Sequence, residues 1–246
     1  MKKILEVAVD SVESAMEAEK GGADRLELGS ALIVGGLTPS LSLYEEVREK
    51  TGLPVHILLR PRYGDFLYTE EELQLILKDT VRFFEAGADA VVTGCLTREG
   101  KLDVTAMERI MDCAKGKKVC LHRAFDMCGD MNQALKDAEK LGIDTILTSG
   151  GCKSAWYGID TLAELNQKAD RVNIMAGAGV NAANIPTIRE KTGISMFHMS
   201  GKVTVESEMA YRNPRVNMGV EGFSEYEIIR TSAEKIRAAK KALNQE

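Results

Sequence analysis

Within five residues, the stretch HRAFDMC (122–128) sets an imidazole, His122, a guanidinium, Arg123, and a carboxylate, Asp126, just ahead of the sulfurs of Met127 and Cys128. Such a set suits three chemistries. An imidazole and a carboxylate can exchange protons with a bound ligand. A guanidinium can grip a carboxylate or phosphate through paired hydrogen bonds. Sulfur with imidazole can hold a soft metal. The stretch can equally be a charged turn that closes a strand.

Other polar residues interrupt apolar runs in the same way. Glu6 sits in ILEVAV, Glu27 in RLEL and His198 in SMFHMS. Burying such groups unpaired costs several kcal/mol, so their simplest compensation is one another. The candidate catalytic residues are therefore Glu6, Glu27, His122, Asp126 and His198. The candidate ligand-binding residues are Arg60, Arg62 and Asp65 in RPRYGDF, then Arg123, Ser149, Gly150, Gly177, Gly179 and Ser200. The turn AGAGVNAANI (176–185) feeds a helix N-terminus, where free N–H groups and the helix dipole favour an anion. The plainer alternatives are mutually satisfied ion pairs for the charged set and a tight turn for the glycines. No defined metal site follows from the residues alone.

The elements that must position these residues recur as one phrase. GGADRLEL (21–28), AGADAVVTG (86–94), LGIDTILTSG (141–150) and TGISMFHMSG (192–201) each place Gly before a short apolar run. Gly suits the left-handed residue just past a helix. A continuous β-branched run suits a buried parallel strand. Four more strands are predicted at 4–9, 54–60, 118–123 and 171–177. Helices are predicted at 11–20, 40–50, 70–86, 103–114, 130–140, 159–169, 181–191 and 225–242, with Ser224 before the last. Eight strands alternating with eight helices over 246 residues give about 31 residues per unit. That is the arithmetic of a single-domain TIM barrel, whose site lies at the C-terminal ends of its strands. A doubly wound sheet rarely has eight such even units. One long connection, 201–224, reads as a lid, a binding loop or a partner contact.

The whole chain narrows the partners. A net charge of −5 argues against nucleic acid. No apolar run reaches the roughly 18–20 residues a membrane span needs. No signal-peptide core is visible, so the expected location is cytoplasmic. The five cysteines are odd in number and lack C-x-x-C spacing, which disfavours disulfides and a four-Cys zinc site.

RPRYGDFLY, HRAFDM, ILTSGG and the opening LEVAVDSVESAMEAEKGGADRLEL…GGLTPS closely resemble the CutC family, named for copper homeostasis. The likeness runs from Leu5 to the YRNP…NMG…SEYEI segment. It implies a TIM barrel, a cytoplasmic location and a role in intracellular copper handling, with copper as the bound ion. Family members often carry Cys where this chain has Ala8, Gly29 and Met199. The sulfurs left near the barrel mouth belong to Cys95, Cys120, Cys128, Cys152, Met127 and Met199. Copper thus rests on the resemblance alone. The polar set fits a small anionic metabolite, with isomerase, lyase and hydrolase chemistry all open. A homo-oligomer built through 201–224 also stays open.

Overall fold

The computed structural model describes residues 3–245 apart from 217, 220 and 221. Eight parallel strands close into a barrel in chain order. They are β1 (Ile4–Val9), β2 (Arg25–Leu28), β3 (Val55–Leu58), β4 (Ala90–Thr93), β5 (Lys118–Leu121), β6 (Thr145–Thr148), β7 (Asn173–Ala176) and β8 (Met196–Met199). The helices are α1 (Val12–Gly21), α2 (Leu41–Lys50), α3 (Glu70–Glu85), α4 (Val104–Ala114), α5 (Met131–Leu141), α6 (Ile159–Lys168), α7 (Ile185–Thr192) and α8 (Ala233–Asn244). The chain is a TIM barrel, as the repeat arithmetic predicts.

Local chemistry explains the boundaries. Ser11, Ser40, Asp103, Asp130 and Ser232 each accept a hydrogen bond from a backbone N–H in the first turn of the following helix. Thr69 and Glu72 form the reciprocal capping box at the start of α3. Gly22 and Gly142 close α1 and α5 in the left-handed conformation, at φ 89° and 77°, which only Gly adopts without strain. This is the physical content of the recurring Gly phrase.

Alternation along the strands divides two cores. Leu5, Val7 and Val9 of β1 point outward and pack in the layer between barrel and helices. Ile4 points inward to meet Leu147, Met175 and Met196. Leu58, Ala90, Val92 and Cys120 form a second apolar patch of the interior. Between and above these patches the interior is polar.

The last helix departs from expectation. Residues 227–231 form a strand, β10 (Glu227–Thr231), antiparallel to β9 (Lys202–Glu206), and α8 starts only after Ser232. KVTVE and EIIRT both alternate and carry β-branched residues, so they pair as strands. Ser232, not Ser224, caps the helix. The long connection thus begins and ends as a two-stranded ribbon. Among the described residues no helix is long and apolar enough to cross a membrane.

Candidate active site at the C-terminal end of the barrel

Strand register brings the acidic and basic residues together. Glu6 pairs with Arg25 of β2 on one side and with His198 of β8 on the other. Partners in a parallel ladder share a face, so all three side chains enter the barrel. Glu6 Oε2 accepts from Arg25 Nε at 2.5 Å, and Glu6 Oε1 lies 2.8 Å from His198 Nδ1. His56 Nδ1 stands 3.5 Å from the same carboxylate. Burial alone would raise the Glu6 carboxyl, but Arg25 and the two imidazoles outweigh it and hold it well below the usual range. Glu6 is therefore ionised, and the proton in its bond with His198 resides on Nδ1. Nε2 of His198 is left available for chemistry.

Glu27 faces the opposite situation. It is 6% exposed, its Oε2 has no hydrogen-bond partner, and burial raises its carboxyl to about 7, helped by the Glu6 charge. One oxygen of Glu27, one of Glu6 and a ring nitrogen of His198 lie within 4.8 Å of one another. The charges of Glu27 and Glu6 also overcome burial at His198 and raise its pKa. Ala8 lies opposite Glu27 in the ladder, and its small side chain keeps space open there.

His122 completes the floor. Its Nδ1 accepts from the Ala124 N–H at 3.2 Å, so the neutral ring carries its proton on Nε2. That Nε2 is buried without a partner. Burial, with the Arg60 charge, lowers its pKa to about 3, so the ring stays neutral at physiological pH. Phe66 packs against the ring at 4.7 Å between centroids. Arg60 also stacks on Phe66 and donates to the carbonyls of Val34, Gly36 and Gly64, with Nε left bare.

These groups open into a cavity of about 510 Å³. Its walls include Glu27, Arg60, His122, Arg123, His198 and Ser200. The loop after β2 contributes Leu32–Gly35, the β9–β10 ribbon contributes Lys202, Ile229 and Arg230, and the connection between its strands contributes Phe223.

Several candidates sit elsewhere. Asp126 does not face the cavity as a free acid. Its carboxylate accepts from Arg123 Nε, the Thr148 hydroxyl, the Ser149 N–H and hydroxyl, and the Gly151 N–H. The backbone N–H groups around the ligand-binding candidates Ser149 and Gly150 are thus taken up by the chain's own side chains, those of Ser149 and Gly151 by Asp126 and that of Gly150 by Thr148. Gly150, at φ 70°, lets the backbone approach Gly158, where a Cβ would lie 2.4 Å from a carbonyl oxygen. Arg62 and Asp65 pair with each other at 2.9 Å, and Arg62 also holds Glu72 at 2.6 Å, so both staple the β3–α3 loop outside the cavity. Gly177 makes room for Leu147, whose Cδ1 would meet a Cβ at 2.4 Å. Gly179 carries a carbonyl bonded by the Asn181 and Asn184 side chains. Neither glycine lines the cavity.

Sequence reading missed Arg25, His56 as a Glu6 neighbour, and the ribbon residues. Arg25 was within reach: it alternates with Glu27 in RLEL, so both point inward.

The model of the CutC family matches residues 3–203. A CutC family protein of Bacteroides fragilis (strain YCH46) is 43% identical over 237 residues, covering 95% of this chain and 94% of the relative. The chain belongs to the CutC family. A CutC crystal structure from Streptococcus agalactiae, carrying a provisional copper-homeostasis name, superposes with a TM-score of 0.77 at 29% identity, over 81% of this chain and 99% of that one. The thiamine phosphate pyrophosphorylase of Pyrococcus furiosus shares the barrel alone, at TM-score 0.57 and 15% identity, over 98% and 95% of the two chains.

Copper, the ion this CutC family name implies, can be tested against the residues present. Cu(I) prefers thiolate and thioether ligands. Among the described residues, no Cys or Met lines the cavity. Burial pushes the Cys95 thiol up to about 12 and the Cys128 thiol to about 11, and raises Cys120 further. Among the described residues, the one grouping of three ligating side chains is Glu6, Glu27 and His198, with Glu6 already held by Arg25. These oxygen and nitrogen donors do not fit a Cu(I) site.

Proposed function

We propose that this CutC family member is an acid–base enzyme acting on a small, oxygen-rich, anionic metabolite at the C-terminal barrel mouth. The observation that carries the reading is Glu27: a buried carboxyl without a partner, raised to about 7 and within 4.8 Å of an oriented imidazole. A group titrating near the working pH both takes and returns protons efficiently.

In its ionised form Glu27 removes a proton from a carbon next to a carbonyl or carboxyl group of the ligand. The electron pair moves onto the ligand oxygen, where the His122 Nε2–H donates a hydrogen bond. A neutral imidazole suits that role because it polarises the oxygen without giving up its own proton. His198, held through Nδ1 by Glu6, supplies or receives the second proton. Arg60 and Ser200 fix the ligand beside these groups. Asp126, Arg123 and Ser149 act one step back, holding the β5 and β6 loops in place.

The test is a thermal-shift screen of small hydroxy acids, oxo acids and sugar phosphates, followed by proton NMR of each hit in deuterated water. A hit should gain deuterium with the parent protein and not with Glu27→Gln or His198→Ala. Stabilising ligands that never exchange a carbon-bound proton would sink the reading.

Copper binding is the second reading. It is favoured by the Glu6–Glu27–His198 grouping and by the name of the relatives. That donor set suits Cu(II) or another divalent cation better than Cu(I). Copper titration of the parent and of Glu27→Gln, followed by electron paramagnetic resonance, decides it: an imidazole-nitrogen signal lost in the variant supports the metal, and equal spectra remove it.

A further inference from the structure

We infer that the anionic end of the ligand is held by the β9–β10 ribbon, through Lys202 and Arg230, and not by the backbone turns after β6 and β7. The inference rests on the acid–base reading of the cavity and adds the substrate class: a small carbonyl or hydroxy compound with a terminal phosphate or carboxylate.

Charge is the first argument. Arg60, Arg123, Lys202 and Arg230 line the cavity against two carboxyls, Asp10 and Glu27. Burial keeps Glu27 partly neutral near pH 7. Two of the four cations are engaged, since Arg123 holds Asp126 and Arg60 is tied to three carbonyls. The ribbon cations are freer. Arg230 has the exposed Glu13 carboxylate only at 4.0 Å and otherwise donates to its neighbour's carbonyl. Among the described residues, no carboxylate lies within ion-pair distance of the Lys202 ammonium. A pair of cations at the mouth of a concave site, one without a carboxylate partner and one with only a distant, exposed one, attracts and orients an anion.

The usual backbone anion sites of a barrel are filled from within. Asp126 takes the N–H groups of Ser149 and Gly151. After β7, the Asn184 side chain accepts from the Asn181 N–H, and the Asn181 side chain accepts from the Ala183 N–H. An incoming phosphate would have to displace these bonds.

A ligand is called for independently of charge. His122, Arg60 and Glu27 line the same cavity, and their Nε2, Nε and Oε2 atoms are buried without partners. Such groups carry a penalty unless something polar meets them. A molecule spanning from these groups to the ribbon satisfies both ends. About 510 Å³ is in the range of small-molecule sites. Lys202 lies within residues 3–203 that the family model matches, and Arg230 lies beyond them.

The test is calorimetric titration of the full chain with glycerol phosphate, inorganic phosphate and lactate. At least one should bind the parent. Arg230→Met and Lys202→Met should each weaken it about tenfold or more, the scale of a charge-assisted hydrogen bond. Arg171→Met, at the other end of the barrel, should leave it unchanged. Preference for glycerol phosphate assigns the anion as phosphate, and preference for lactate assigns it as carboxylate. No binding of any probe, or binding indifferent to both ribbon substitutions, overturns the inference. Ribbon-dependent binding without deuterium exchange keeps this inference and removes the acid–base reading. Exchange without ribbon dependence does the reverse.

Discussion

Glu6 Oε1 and His198 Nδ1 are 2.8 Å apart in the centre of the barrel, and Arg25 holds the other oxygen of the same carboxylate. The three residues are neighbours on β8, β1 and β2, so ladder register alone sets their contact. Glu6 cannot titrate usefully with Arg25 beside it. Its task is to fix the tautomer of His198 and to support charge on that ring.

Glu6→Gln should therefore act on His198 and on stability together. The amide loses the charge that raises His198, so the imidazole pKa falls. Arg25 is left buried without its counter-charge, which costs on the order of 3–5 kcal/mol. The chain has three histidines, so imidazole NMR reads the first effect residue by residue. Urea unfolding reads the second. An unmoved His198 titration would show that Glu27 alone raises it.

The three imidazoles should separate clearly in the parent. Burial, opposed by Glu6, lowers His56 to about 4, and burial with Arg60 lowers His122 to about 3. Both should stay neutral from pH 8 down to pH 5, with His122 showing the Nε2–H tautomer in nitrogen shifts. His198, raised by Glu27 and Glu6, should be the one to titrate within that range or above it. Titration of His122 above pH 6 would remove it as a neutral donor.

Glu27 gives a pH dependence of defined sign. Its folded pKa, about 7, lies above the ordinary 4.5. Between those values the folded state keeps a proton that the unfolded state releases, so stability falls as pH rises through the window. His56 and His122 act oppositely, losing stability as pH falls below 6.5 toward their lowered values. Comparing parent with Glu27→Gln isolates the carboxyl. The variant should match the parent near pH 4.5 and be the more stable of the two at pH 8, each pKa unit being about 1.4 kcal/mol. Equal stability at pH 8 would contradict a raised Glu27.

The barrel was legible because its signals are local. Gly phrases end the helices, and inward polar residues break apolar strands. Glu27, His122 and His198 became candidates for the second reason, and all three line the cavity. What stayed hidden depends on which partner a side chain meets. Asp126 has the sequence context of a catalytic acid, yet five donors from Arg123 and from the end of β6 and the turn after it saturate it. Gly177 has the context of an anion turn, yet its missing Cβ is space for Leu147. The ribbon was read as loop and helix because each of its strands is short and its ladder partner lies more than twenty residues away in the sequence.

Asp126→Asn tests that structural assignment. The amide cannot accept from every donor at once, so one or more buried N–H groups lose a partner, at about 1–3 kcal/mol each. Thermal unfolding should fall while probe binding in the folded protein stays within about threefold, since no Asp126 atom lines the cavity. Loss of binding at unchanged stability would return Asp126 to the ligand.

The copper question can be turned into a gain of function. The family resemblance of the sequence implies Cys at the positions of Ala8 and Gly29. Ala8 lines the cavity opposite Glu27, and Gly29 follows Glu27 by two residues, on the same inward face. A Cβ at Gly29 would lie 3.3 Å from Leu37 O and Leu58 Cδ2, tight but open to small adjustment. Ala8→Cys with Gly29→Cys would thus add two sulfurs on the inward faces of β1 and the end of β2, the soft donor type that Cu(I) prefers. Competition against a chromogenic Cu(I) chelator should show binding in the double variant and none beyond background in the parent. If the parent competes as well as the double variant, a soft site exists elsewhere in the chain, and the cavity donors are not what decides copper.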